Sequence, residues 1–223
     1  GPHGIDLITR KDGRHQLAVV SHYPAESVEM FELRYDENWV LEWKGCINIE
    51  NQYYFNDVSL DDDGNFYATH MFDSNYSMIN LAWNVFAKSN TGFVVKWIKD
   101  NKFEKLEYTT GSFPNGIALD QENNNLVVNY NFGDKTILFD MDNQKQIGIF
   151  EHNSPDNVII KDGFVWVTNH DHSAISALRC SKKTNCTLPF SVNQISLENL
   201  SLINSYKFKS NNMGTGTVGL PHQ

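Results

Sequence analysis

Short apolar runs with a period of two, cut by polar breaks, fill most of the chain. Residues 16–20 and 27–33, 126–128 and 136–139, and 164–168 and 174–178 read as strands in pairs. Asp12-Gly13, Asp63-Gly64, Gly133-Asp134 and Asp162-Gly163 stand between such runs and supply the positive-φ positions of tight hairpins. Residues 77–88 come closest to a helical period and predict a short amphipathic helix inserted between strands. The pattern contains no low-complexity linker, so it predicts one all-β domain over residues 1–223.

A phrase recurs within this pattern. His3-Gly4-Ile5-Asp6-Leu7, Asn56-Asp57-Val58-Ser59-Leu60, Asn115-Gly116-Ile117-Ala118-Leu119 and Asp156-Asn157-Val158-Ile159-Ile160 each pass from polar groups into an apolar run. The starts are 53, 59 and 41 residues apart. A supersecondary unit repeating at roughly 40–50 residues marks a propeller blade or a solenoid. Each unit reads as a four-stranded antiparallel meander, which favours the propeller. Four repeats are explicit, and a fifth begins near Asn212 and stops. Because a propeller closes on itself or leaves bare sheet edges, the count implies a fragment or completion by another chain.

First strands of blades face a central channel, so the phrase openings predict one shared site. Asn56, Asp57, Asn115, Asp156 and Asn157 offer hard oxygen donors, which suit Ca²⁺ better than Zn²⁺ or Cu²⁺. Taken singly, each is explained as a turn residue bonding its own backbone; repetition in register argues against that. His22, His70 and His170 occupy matching places after three of the phrases, and with His3 they form a second set. His3, His22 and His70 form no His-x-His spacing, His172 beside His170 has no counterpart in the other repeats, and there is no Cys-x-x-Cys, so the set does not point to zinc. Asp61-Asp62-Asp63-Gly64 lacks the later Glu of a calcium loop and reads as a solvated turn.

Composition narrows the function classes. With 18 Lys+Arg against 27 Asp+Glu there is no basic stripe, which excludes nucleic acid as the expected partner. No run approaches the roughly 18 apolar residues of a membrane span. Cys180 and Cys186 bracket a short polar loop that a disulfide could close, leaving Cys46. With sequons at Asn75, Asn185 and Asn199, they suggest an exported glycoprotein. Neither a Gly-x-Ser-x-Gly elbow nor a Gly-x-x-x-x-Gly-Lys-Ser/Thr phosphate loop is present.

Taken in order, Pro2-His3-Gly4-Ile5, Val19-Val20-Ser21-His22, Phe55-Asn56-Asp57-Val58, Phe113-Pro114-Asn115-Gly116-Ile117, Pro155-Asp156-Asn157-Val158 and Trp166-Val167-Thr168-Asn169-His170 resemble the paraoxonase/arylesterase family. Gluconolactonase-like and strictosidine-synthase-like propellers share parts of this series. The resemblance implies a six-bladed β-propeller lacking, in this sequence, the first blade and the last strand or strands. It implies two calcium ions and hydrolysis of lactones or aryl esters at a small-molecule site, with peripheral membrane or lipid association as a further expectation. Asn56, Asn115, Asp156 and Asn157 match ligands of a catalytic calcium. Asp57 and the Ile5 carbonyl match ligands of a structural one. His3 and His22 match a water-activating pair, while His170, His70 and Phe113 match the substrate pocket. The family's acidic ligands from the first blade have no counterpart here, and Thr69-His70-Met71 replaces a more polar segment. Two other readings remain open on the residues alone. One is a non-catalytic, calcium-stabilised binding module, which needs neither His3 nor His22. The other is a strictosidine-synthase-type enzyme, for which no Glu stands in register.

Overall fold

The computed structural model describes residues 2–49, 53–99, 102–180, 182, 186–209 and 215–222. Among these residues sixteen strands form four antiparallel sheets, each a simple meander in chain order. The first holds β1 (Pro2–Thr9), β2 (His15–Ser21), β3 (Ser27–Asp36) and β4 (Asn38–Asn48). The second holds β5 (Phe55–Leu60), β6 (Phe66–His70), β7 (Gly92–Ile98) and β8 (Lys102–Gly111). The third runs through β9 (Pro114–Asp120), β10 (Asn125–Tyr130), β11 (Lys135–Asp140) and β12 (Lys145–Glu151). The fourth is β13 (Pro155–Lys161), β14 (Phe164–His170), β15 (Phe190–Ser196) and β16 (Leu202–Phe208).

These sheets are blades arranged as a β-propeller. Their first strands adjoin in sequence, β1 with β5, β5 with β9 and β9 with β13. Apolar residues on the two faces of each strand feed different interfaces. Val95 joins Ala18, Val20, Phe55 and Phe66 between the first two blades. Its neighbour Val94 joins Ile117, Leu126, Val128 and Tyr130 between the second and third. Val127 turns instead to Val158, Val165, Val167 and Ile195 beside the fourth. Period-two alternation thus supplies two cores from one sheet, the packing a stack of blades requires.

The predicted helix is α1 (Met78–Ala87). The Ser77 side chain accepts the Asn80 N–H at 3.2 Å, and Lys88 closes the helix in the left-handed region at φ 48°. Residues 174–178 differ from expectation. They form part of a second helix, α2 (Ala174–Cys180), and the third strand of that blade is Phe190–Ser196. The Ser173 hydroxyl accepts the Ser176 N–H at 3.2 Å, and two alanines favour the helix over the short apolar alternation. Cys180 and Cys186 are joined as a disulfide, with Cα atoms 5.4 Å apart. Of the three sequons, that at Asn185 and the start of the expected fifth repeat at 212–214 fall outside the described residues. From 215 to 222 the chain has no strand. The Asn157 N–H donates to the Thr217 carbonyl at 3.3 Å.

Candidate active site

All four recurring phrases are β-bulges at one register. Pro2 pairs with Ser21 and Ile5 with Val19, so three steps on β1 match two on β2. The same offset separates Phe55↔His70 from Val58↔Ala68, Pro114↔Tyr130 from Ile117↔Val128, and Pro155↔Asn169 from Val158↔Val167. The extra residue falls within His3-Gly4, Asn56-Asp57, Asn115-Gly116 and Asp156-Asn157. A bulge bends the strand and re-aims side chains at the end of a sheet, which is why polar residues sit there in otherwise apolar strands.

The second bulge position alternates Gly4, Asp57, Gly116 and Asn157 for a steric reason. A Cβ on Gly4 would lie 2.4 Å from Asp57 Cα, and one on Gly116 would lie 2.7 Å from Asn157 Cα. Neighbouring inner strands therefore touch backbone to backbone at these two junctions. At the junction between them a carboxylate spans the gap. Asp57 Oδ2 accepts the Ile117 N–H at 3.1 Å, while Oδ1 accepts that of Val58 at 2.9 Å. Thr69 ties the same blades, its hydroxyl accepting the Asp57 N–H at 3.0 Å and donating to the Asn115 carbonyl at 2.5 Å. Asp6 repeats the device one blade earlier, accepting the Leu60 N–H at 2.7 Å.

Four predicted groups converge at the mouth. His3 Nδ1 lies 2.9 Å from His22 Nε2. Desolvation lowers the His3 pKa, His22 lowers it further, and the carboxylate of Asp156 partly opposes both. His170 Nε2 lies 3.2 Å from Asp156 Oδ2, outside hydrogen-bonding geometry. Below the mouth, burial pushes the Asp57 carboxyl up to about 8, and the nearby Asp6 and Asp156 add to the rise. A cavity of about 330 Å³ follows the inner strands away from His3, lined by Ile5, Asp6, Asp57 and Val158 among others.

These donors fit a hard cation. Asn115 is 5% exposed, and its Oδ1 is buried with no hydrogen-bond partner. A buried, unpaired amide oxygen costs free energy unless something binds it. Asp57 has two N–H partners for a carboxylate that burial disfavours as an anion, and a cation would reverse that preference. Asn56 and Asp156 are likewise buried, and Asn157 is half-buried. Among the described residues no three His, Cys, Asp or Glu side chains converge as a metal cluster. Any cation here would rely on amide and carbonyl oxygens as much as on carboxylates, and Ca²⁺ accepts such a set.

Two expectations are refined. His70 is 4% exposed, and its ring packs against Tyr53 and Phe93 at 5.0 and 4.8 Å. Its Nδ1 accepts the Tyr54 N–H at 3.1 Å, and burial lowers its pKa to about 4. It holds Tyr54 in place from behind; a strand-end His in repeat register need not face the channel. Phe113 does stand among aromatics. His22 stacks on Tyr54 at 4.4 Å and Tyr54 on Phe72 at 4.7 Å. Phe72 leads to Phe113 at 6.1 Å, and Phe113 to Phe132 at 4.8 Å. Tyr54, Phe72 and Phe132 lie outside the repeat register, and their only signal in the sequence is an aromatic beside each phrase or strand end. Glu26, against His22, had no signal in the sequence pattern.

The family profile described as Arylesterase matches residues 1–201. This chain belongs to the arylesterase family. Its fold is similar to that of a luciferin-regenerating enzyme, at 14% identity and a TM-score of 0.53, over 92% of this chain and 62% of that one. It is similar also to XC5397, a gluconolactonase from Xanthomonas campestris, at 13% identity and 0.52, over 94% and 62%. The hydrazine synthase of Kuenenia stuttgartiensis matches at 14% and 0.57, over 94% of this chain and 49% of that one. The arylesterase-family chain thus spans less than two thirds of each of these structures. At such identities they show the propeller fold alone. No curated protein gives a significant match to the sequence.

Proposed function

We propose that the protein is a calcium-dependent hydrolase of lactones or aryl esters, built on a six-bladed propeller of which four blades are described here. The contact between His3 and His22 carries this reading, because it pairs two imidazoles beside the bulges, with the charge of Asp156 acting on His3. Family membership and the orphaned Asn115 oxygen support it. Asn56, Asn115, Asp156 and Asn157 would hold the catalytic calcium, and Asp57 with the Ile5 carbonyl a structural one. When bound, calcium supplies Lewis-acid polarisation of a carbonyl.

The protein's own residues supply the remainder. His3 removes a proton from the attacking water, a task suited to an imidazole whose charged form is disfavoured by partial desolvation. The wall of Tyr54, Phe72, Phe113 and Phe132 offers apolar surface for an aryl or acyl group. We also propose an exported location, in keeping with the Cys180–Cys186 disulfide, and peripheral association with lipid through α1. In that helix Met78, Ile79, Trp83 and Phe86 are 66–81% exposed and no residue is buried.

The test is hydrolysis of phenyl acetate and of a γ-lactone with and without a calcium chelator. Chelation is expected to abolish turnover, and His3→Gln to lower it by about 10²–10⁴-fold, the usual contribution of a general base. Activity that survives both treatments rejects the mechanism.

A further inference from the structure

Glu26 lies in the turn between β2 and β3, four residues after His22. Both of its carboxylate oxygens sit against His22 Nδ1, at 2.8 and 2.9 Å. The two side chains are only 20% and 22% exposed, so water competes weakly for the contact. The backbone of the turn is also held separately, the Glu26 carbonyl accepting the Ile49 N–H at 3.1 Å. The ring of His22 is further fixed by its stack on Tyr54, with the planes 6° apart.

Ionised carboxylate oxygens only accept hydrogen bonds, so His22 Nδ1 must carry the hydrogen. In a neutral ring that leaves Nε2 as the acceptor, 2.9 Å from His3 Nδ1. His3 Nδ1 must then be the donor, and the lone pair of His3 falls on Nε2. One carboxylate therefore sets the tautomer of two rings in series. Without it, each ring could reverse, and His3 could present a hydrogen where a base is needed.

We propose that Glu26 is a positioning residue for hydrolysis, completing a Glu26–His22–His3 relay that directs the His3 Nε2 lone pair at water. This rests on the hydrolytic reading given above. The proton taken by His3 comes from water, whose oxygen forms the new bond to the carbonyl carbon. As the carbon–oxygen bond to the leaving group breaks, the same proton passes to the departing oxygen, so water alone is consumed. Between those events the positive charge on His3 is shared along the hydrogen bonds towards Glu26. Asp156 acts on His3 from β13 and stays intact in every variant below.

Phenyl acetate kinetics of Glu26→Gln and Glu26→Asp provide the test, alone and combined with His3→Gln, alongside ¹⁵N spectra of the histidine rings. Glu26→Gln is expected to lower kcat at least about tenfold with KM nearly unchanged, since a general base contributes about 10²–10⁴-fold in all. Glu26→Asp should recover part of the loss. In the His3→Gln background Glu26→Gln should cost nothing more, because residues acting as a unit are non-additive. The ring spectra should place the hydrogen of His22 on Nδ1 in the parent protein and on both nitrogens in Glu26→Ala. Unchanged kcat in Glu26→Gln beside an inactive His3→Gln, a fully additive double variant, or an Nε2–H tautomer in the parent protein overturns the relay. A parent protein that hydrolyses neither ester nor lactone removes the hydrolytic reading itself, and the ring spectra then decide the tautomer.

Discussion

At the scale of single residues, the buried Asp57 makes the site pH-dependent in a direction opposite to most carboxylates. Its folded pKa, raised to about 8, lies above the ordinary 3.8. Between those values the unfolded chain releases a proton that the metal-free folded state retains. Stability from this group is therefore full below about pH 4 and declines as pH rises through about 8. Asp6, also raised by burial, acts in the same sense. Thermal unfolding in chelator should show Tm falling across that window, with a shallower fall in Asp57→Asn. Added calcium should raise Tm by an amount that grows with pH, because it favours the carboxylate form. Gly116 carries a second residue-scale expectation. A Cβ there meets the Asp156 carbonyl oxygen at 2.5 Å, so Gly116→Ala forces two inner strands apart. The cost should be roughly 1–3 kcal/mol, read by chemical denaturation. Histidine in register with other histidines was legible in the sequence; its direction was not. His3 and His22 meet, whereas His70 turns away to serve a backbone N–H. Glu26 could not be read at all, since a contact between a loop acid and a strand-end His depends on the path of the turn.

At the scale of elements, periodicity located the strands, and the helical period over residues 77–88 located α1 to within a residue at each end. The short run at 174–178 was ambiguous because apolar alternation over five residues cannot separate a strand from one turn of helix. The phrases were legible as repeats but not as bulges, since the extra residue is visible only in the pairing register. In each blade the second strand returns to the end where the inner strand begins, so α1 after β6 and α2 after β14 emerge on the face that carries His3. No residue of α1 is fully buried and only Leu81, Asn84 and Val85 are half-buried, so a ten-residue helix that is marginal alone is held by its caps and this narrow contact. Association with lipid would give its apolar side a partner. Phospholipid vesicles are accordingly expected to co-sediment with the protein and to blue-shift the emission of Trp83. The pair Trp83→Ser and Phe86→Ser should weaken the binding several-fold, and binding that is unaffected removes the proposed lipid contact.

For the molecule as a whole, the alternation of glycine with larger polar residues at the second bulge position sets a rule about modularity. Each blade looks like an independent module, yet blades one and three bring Gly4 and Gly116 to the junction while blades two and four bring Asp57 and Asn157. A glycine blade presses its backbone into the next blade's bulge, and the Asp57 blade reaches across with a carboxylate instead. Removing a single blade would bring two like junctions together, leaving either a crowded contact or an unfilled gap at the centre. The unit that can be copied, deleted or transplanted without conflict is a pair of blades. Engineered or natural rearrangements of this scaffold should therefore keep the pairing intact, and variants that shift by one blade should lose the centre before they lose the cores.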